Sequence, residues 1–302
     1  MKEISEQEQE ALLNTLRRHE RELKAYPGVH YVDVGYKFEN GEPTDVLAIR
    51  VHLGEKKPES EVEPSQVLPR SIEGVALDVI QSNPGLEQNR DVRFDPLVGG
   101  IAGGNQRHGT WGTLGAVVFD AASSVPMALS NHHVLVGPRG RKGDEIAQPI
   151  SKGPADVIGT LTRWNLQLDC AVCTLDDSRG FSTEIVDLSQ GVRGLLRPLV
   201  GMNVTKSGIT TGTTSGIIDG VTPDEFTVIP DRRNPPPNGE ISDSGDSGSL
   251  WFVSTSGINL GAGSGVGLHF AGETDPAANA ERAWAKWIVN VATTLNIRFK
   301  RR

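Results

Sequence analysis

From Leu97 onward the apolar residues of this chain arrive in short runs, each cut off by glycine, proline or a polar cluster. Gly112-Thr113-Leu114-Gly115-Ala116-Val117-Val118-Phe119, Pro126-Met127-Ala128-Leu129-Ser130, Ile158-Gly159-Thr160-Leu161 and Ala171-Val172-Cys173-Thr174-Leu175 are the clearest. Their length suits strands rather than helices, and many short strands with frequent turns mark a sandwich or barrel. The 35 glycines and 18 prolines supply the turns. Asn234-Pro235-Pro236-Pro237-Asn238-Gly239 is expected as an irregular loop, because prolines cannot donate to a ladder.

A different pattern precedes residue 96. Ser5-Glu6-Gln7-Glu8 has the form of a helix capping box, and Leu12, Leu16 and Leu23 then recur near helical spacing up to Pro27-Gly28. Two alternating runs follow, Val32/Val34/Tyr36/Phe38 and Leu47/Ile49/Val51/Leu53, around Asn40-Gly41, which predicts a hairpin. A third strand is expected at Val75, Leu77 and Val79, after a polar insertion from Gly54 to Pro69. The chain therefore divides into a small α+β unit, 1–95, and a mainly β domain, 96–302. A closing helix is predicted after Asp275-Pro276, with Trp284, Trp287, Ile288, Val291 and Leu295 along one stripe.

Composition narrows the partners. With 302 residues, 37 % of them hydrophobic, the chain can bury a large core. A net charge of −8 argues against nucleic acid, whose phosphates need a basic surface. No membrane span is expected, and the polar start Met1-Lys2-Glu3-Ile4-Ser5-Glu6 is unlike a signal peptide, so a cytoplasmic location is expected. The two cysteines, Cys170 and Cys173, stand three apart on a predicted strand and point to opposite faces, which disfavours a disulfide. Neither a metal cluster nor a phosphate-binding loop is evident, since no helical pattern follows Gly99-Gly100 or Gly103-Gly104; no cofactor is expected.

Three segments carry the chemistry. Gly245-Asp246-Ser247-Gly248-Ser249 places a serine in a tight turn that leaves backbone N–H groups free. Leu129-Ser130-Asn131-His132-His133-Val134-Leu135 and Leu168-Asp169-Cys170-Ala171-Val172 precede it. A serine hydroxyl is a weak nucleophile at neutral pH; it needs an imidazole to take its proton and a carboxylate to hold that imidazole's tautomer. The order here is His, Asp, Ser, which differs from that of α/β-hydrolases and of subtilisins.

With these motifs, residues 97 to about 296 resemble the trypsin/chymotrypsin-like serine proteases, most closely the bacterial branch whose histidine motif reads Thr/Ser-Asn-x-His-Val. Gly143-Asp144-Glu145-Ile146-Ala147-Gln148-Pro149, Lys206-Ser207-Gly208-Ile209-Thr210-Thr211-Gly212 and Gly267-Leu268-His269-Phe270-Ala271-Gly272 are similar to segments of bacterial members and of plant narrow-leaf-type proteases. The resemblance implies a chymotrypsin-like double β-barrel, with the triad in the cleft between barrels and a protein or peptide as substrate. It assigns the base to His133, directly before valine, and leaves His132 in the variable position. Asp169 becomes the orienting acid, Ser247 the nucleophile, and the backbone N–H groups of Gly245 and Ser247 the oxyanion donors. His269 matches the Gly-x-His-x-x-Gly wall that receives Glu or Gln in glutamyl endopeptidases and picornavirus-type cysteine proteases, so such a preference is expected.

Several readings stay open. Asp246 has two candidate partners: an amine released by cleavage before Leu97-Val98-Gly99-Gly100, or an internal Arg, Lys or backbone group. The N-terminal unit is open to three readings, pro-segment, regulatory cover or permanent partner of the barrels, and its modest size and acidic helix favour the last. A catalytically idle protease-fold module and a nonproteolytic esterase are the alternatives to a serine endopeptidase, and the oligomeric state is not legible.

Overall fold

The computed structural model describes residues 3–39, 41–54, 56, 62–63, 66–82, 93–150, 156–188, 191–232, 234–236, 239–254, 261–273 and 281–301, with the backbone of 84–85. Helix α1, Glu6–Leu23, starts where the sequence predicts: Ser5 Oγ accepts from Glu8 N at 3.2 Å, and Glu8 returns a carboxylate to Ser5 N at 2.9 Å. Its buried face, with Leu13, Leu16 and Leu23, packs on a hairpin of β1 (Val29–Glu39) and β2 (Glu42–Leu53). Glu39 stands opposite Glu42, so Asn40-Gly41 is the connection; Asn40 itself lies outside the described residues. A two-residue β3 (Ser71–Ile72) leads into β4 (Val75–Gln81), which runs parallel to β2 from Ala48↔Ala76 to Leu53↔Gln81. Parallel pairing requires a crossover, and the polar 54–69 insertion supplies it. A further pair, β5 (Pro84–Gly85), ends this part of the chain.

The first barrel uses β6 (Leu97–Gly99), β7 (Ile101–Asn105), β8 (Thr110–Leu114), β9 (Ala116–Asp120), β10 (Pro126–Ser130), short helix α2 (His132–Leu135), β11 (Glu145–Ala147), β12 (Val157–Asn165), β13 (Cys170–Leu175) and β14 (Phe181–Ile185). Its sheet runs β9-β10-β13-β12-β11-β7-β8 and curls until its ends are separated along the chain by Gly115 alone. Alternation along β13 sends Cys170 and Val172 into one core, and Ala171, Cys173 and Leu175 into another. The two thiols are free and buried.

The second barrel is closed. It comprises β15 (Asn203–Gly208), β16 (Gly212–Val221), β17 (Glu225–Pro230), β18 (Leu250–Val253), β19 (Gly265–Glu273) and β20 (Ala283–Trp287), in the ring order β15-β18-β19-β20-β17-β16 with β16 returning to β15. Helix α3 (Ile288–Thr294) and β21 (Ile297–Arg298) finish the chain, β21 pairing with β9 of the first barrel. The closing helix is therefore present but starts later than its apolar stripe suggests. Trp284 lies inside β20 and Trp287 at its end, because Ala283-Trp284-Ala285-Lys286-Trp287 is needed as the rung between β17 and β19. Ile288, Val291 and Leu295 keep the expected face, on the core shared with the first barrel. Residues 276–280 lie outside the described residues. This is the chymotrypsin-like double barrel that the resemblance implies, and no helix among the described residues is long and apolar enough to cross a membrane.

The N-terminal elements join the second barrel through β16. Gly212 to Ile217 pair with β15; further along, Gly220 and Val221 pair with Gly35 and Val34 of β1. One apolar cluster accordingly holds Leu13, Leu16, Val32, Val34 and Ile49 together with Val204, Val221 and Phe226. Gln9 adds a polar clamp, donating to Pro198 O at 2.6 Å and accepting from Val200 N at 2.9 Å. The other face of the hairpin is charged yet dry. Arg50 reaches Asp33 at 2.5 Å and Asp219 at 2.7 Å, all fully buried, and Arg282 meets Asp219 at 3.0 Å. Burial opposes ionisation of Asp33 and Asp219, but the Arg50 guanidinium outweighs it and holds both carboxyls below their ordinary range. Glycine at 220 makes the room, since a Cβ there would stand 1.7 Å from Arg50 Nη2.

Candidate active site

Helix α2 begins after the extended Asn131, whose side chain donates to Asp169 O at 2.8 Å. This places His133 against Asp169. The carboxylate accepts the backbone N–H of His133 at 3.0 Å through Oδ1 and faces ring Nδ1 at 2.7 Å through Oδ2. An ionised carboxylate can only accept, so Nδ1 carries the proton and Nε2 is left as the acceptor. Asp169 holds this pose with φ of +43°, a left-handed conformation that a non-glycine residue adopts only under local constraint. His132, beside it, has its pKa lowered, mainly by burial.

The serine turn is clasped between the barrels. Thr113 of β8 donates its N–H to Ser247 O and its hydroxyl to Gly245 O, each at 2.7 Å, while Gly248 N donates to His269 O at 2.9 Å. Gly112 is the point of closest approach. A Cβ on it would lie 2.7 Å from Val134 Cγ2 and 2.8 Å from Ser247 O, so the neighbour of His133 and the serine turn meet across one missing methyl. The structure thus brings the segment that carries the His133–Asp169 pair against the turn that carries Ser247, but no hydrogen bond joins the pair to the serine hydroxyl among the described residues. Ser247 Oγ donates to Phe270 O at 3.3 Å, and buried His133 Nε2 has no hydrogen-bond partner among the described residues.

The backbone around Ser247 is arranged unevenly. Asp246 N donates to Asp243 O at 3.0 Å, whereas the N–H groups of Gly245 and Ser247 donate to no described residue. Gly245 has φ of +103°, a conformation that glycine reaches without strain. Beneath the turn, Asp246 is fully buried and receives Lys206 Nζ at 2.7 Å, Thr211 Oγ1 at 2.5 Å and Thr210 N at 2.9 Å. Burial opposes its ionisation, but Lys206 and Thr211 prevail, and its pKa is lowered. Of the two partners considered for Asp246, the structure supplies the internal one. Leu97 is engaged elsewhere: its N–H donates to Gly180 O at 2.8 Å as β6 pairs with β14. No local pattern in the sequence marks Lys206 for this place, although it opens the Lys206-Ser207-Gly208 segment of the resemblance.

His269 sits on β19 at the base of the same turn. Its backbone pairs with Ser249 O and Gly248 N, both at 2.9 Å, and its ring stands edge-on to Trp251 at 6.2 Å. The side chain is fully buried; burial first, then the Lys206 cation, pull its pKa down to about 3. At neutral pH the ring is uncharged.

No family model matches the chain. Protein NARROW LEAF 1 of Oryza sativa subsp. japonica is 29 % identical over 121 residues, covering 34 % of this chain and 21 % of that protein. The match thus spans about a fifth of that curated relative. Among solved structures, Thermobifida fusca Protease A is 15 % identical with a TM-score of 0.48, covering 67 % of this chain and 96 % of its own. Nocardiopsis protease gives 17 %, 0.48, 67 % and 97 %. A glutamic acid specific serine protease that uses a histidine triad in substrate binding gives 16 %, 0.49, 67 % and 99 %. By its own strand order the chain has a chymotrypsin-like double β-barrel, with the N-terminal hairpin and β4 continuing the sheet of the second barrel.

Proposed function

We propose that the chain is a serine endopeptidase acting through an acyl-enzyme, with His133 as base, Asp169 as its orienter and Ser247 as nucleophile. The observation that carries this reading is the double grip of Asp169 on His133, through backbone N–H and Nδ1, which fixes Nε2 as a proton acceptor beside the serine turn. Attack on a peptide carbonyl moves the Ser247 proton to Nε2, and the protonated ring then gives it to the departing amine. Water repeats the sequence in reverse and frees the acid. Ser247 Oγ must first leave Phe270 O, a rotation between staggered positions, and catalytic hydrogen bonds commonly tighten only with substrate present. The unengaged N–H groups of Gly245 and Ser247 suit an oxyanion, at about 3 kcal/mol per donor.

Preference for Glu or Gln before the scissile bond rests on His269, whose neutral ring can donate one N–H to a carboxylate or amide oxygen. The substrate class is protein or peptide. The N-terminal unit serves as a permanent structural partner of the second barrel, since a shared core and a dry ionic seam hold it there.

A second reading, a catalytically idle module of the same fold, is favoured by one observation: Ser247 bonds to Phe270 rather than His133. Labelling by a fluorophosphonate probe separates the two. The endopeptidase reading expects labelling of the wild type and none of Ser247→Ala or, at comparable rate, of His133→Ala. Cleavage of a diverse peptide library after basic or large apolar residues would end the Glu/Gln assignment.

A further inference from the structure

Helix α1 with β1, the turn between β12 and β13, and the turn between β16 and β17 each supply one wall of a cavity of about 500 Å³. The N-terminal unit and both barrels therefore share it, and its volume falls in the range that small-molecule sites occupy. The candidate active site is built elsewhere: none of His133, Asp169 and Ser247 lines this cavity. Two of its walls nevertheless reach toward them. Leu168, on one, is the residue before Asp169. Lys286, on another, holds its Nζ 4.6 Å from the centre of the Phe270 ring, and the Phe270 carbonyl accepts Ser247 Oγ.

The charges around the cavity do not balance. Lys24 pairs with Glu20 at 2.8 Å and Lys286 pairs with Glu225, so both cations are already matched. Asp224 is left over: its Oδ1 accepts the neutral Asn290 Nδ2 at 2.7 Å, and no cation among the described residues pairs with it. A carboxylate has acceptor sites well beyond one amide, so Asp224 leaves negative charge at the exposed mouth. Deeper in, Tyr31 lines the cavity while only 8 % exposed, and its buried hydroxyl has no hydrogen-bond partner among the described residues. Burial first, and then the Glu225 carboxylate, push the pKa of that phenol up, so it keeps its proton. Buried polar groups are nearly always paired, and one left over at a cavity marks a place for a ligand group.

We propose that this cavity binds a small organic cation, a guanidinium or primary ammonium compound, with Asp224 and the Glu225–Lys286 pair facing its charge and the Tyr31 hydroxyl meeting one of its N–H groups. No group of three or more His, Cys, Asp or Glu that could hold a metal ion occurs among the described residues, so the cation that fits is one that brings its own donors. A guanidinium suits the walls well, because its planar fork of N–H groups can serve a carboxylate and a hydroxyl at once. Glu20, Lys24 and Tyr31 belong to the N-terminal unit, so the site is complete only with that unit packed on the barrels. The assignment stands apart from the chemistry of Ser247 and does not require it.

The test is isothermal titration of the full chain with L-arginine and, as a neutral control of the same shape, L-citrulline. Arginine is expected to bind at one site, and citrulline to bind about tenfold more weakly or not at all. Two variants locate the site. Asp224→Asn removes the charge at an exposed position where the fold depends on it little, and Tyr31→Phe removes only the hydroxyl. Each is expected to weaken arginine by about threefold to tenfold at unchanged thermal stability. No binding of arginine, equal affinity for citrulline, or an arginine affinity unchanged in either variant would overturn the proposal.

Discussion

Two clusters of buried charge lie in this molecule, and they differ in what they join. Lys206 and Asp246, both fully buried, connect β15 to the turn that carries Ser247, within one barrel. Arg50, Asp33, Asp219 and Arg282 connect strands from distant parts of the chain and attach the N-terminal hairpin to the second barrel. Each has an imidazole at its side, His269 in the first case and His52 in the second, both uncharged at neutral pH. Desolvation penalises either cluster in the same way, so their difference teaches that one kind of interaction can serve local shape or long-range attachment.

Arg50→Met should have the largest effect on the folded state. It strands two buried carboxylates, and breaking such a pair costs about 3–5 kcal/mol, measurable by urea unfolding of the full chain. Fluorophosphonate labelling of the molecules that remain folded should be unchanged; a labelling loss at full stability would mean that this cluster also shapes the site. Lys206→Met is expected to do the reverse in emphasis. By releasing Asp246 it displaces the turn, and the labelling rate should fall roughly 100-fold, about the cost of losing one oxyanion donor.

Acid separates the clusters less sharply. Burial pulls His52 down to about 4 and His269 down to about 3, so each takes up a proton more readily in the unfolded chain than in the native one. Their contribution to stability is therefore full above pH 6.5 and is lost as pH falls toward 4, at up to about 1.4 kcal/mol per pH unit for each imidazole. His52→Phe should flatten this slope in pH-dependent unfolding while leaving the labelling rate at pH 7.5 unchanged. The smallest effect is expected of Ser5→Ala, about 1 kcal/mol for a lost helix cap, which tests whether α1 is held mainly by its apolar face and Gln9.

Local signals were legible in the sequence: the Ser5/Glu8 capping box, the Asn40-Gly41 hairpin and the Gly-punctuated strands. The candidate site was legible as three motifs in order, because each residue type stands in a recognisable local frame. What pairs across long distances was not. Asp33, Arg50 and His52 alternate with apolar residues and carry no local sign of what they meet, whereas Asp219 and Arg282, far along the chain, enclose them in an interior. Trp284 and Trp287 fit a helical stripe as well as a strand, and only the need for a rung between β17 and β19 decides between them. Lys206 gave no local sign that it would sit beneath the serine turn.

Strand β16 is ten residues long, and its edge is divided between β15 at one end and β1 at the other. A seam and a joint thus share one piece of backbone. Loosening the hairpin tugs on the rung that shuts the ring, so heating should melt both together, and a calorimeter should record a single peak for regions that look separable along the chain.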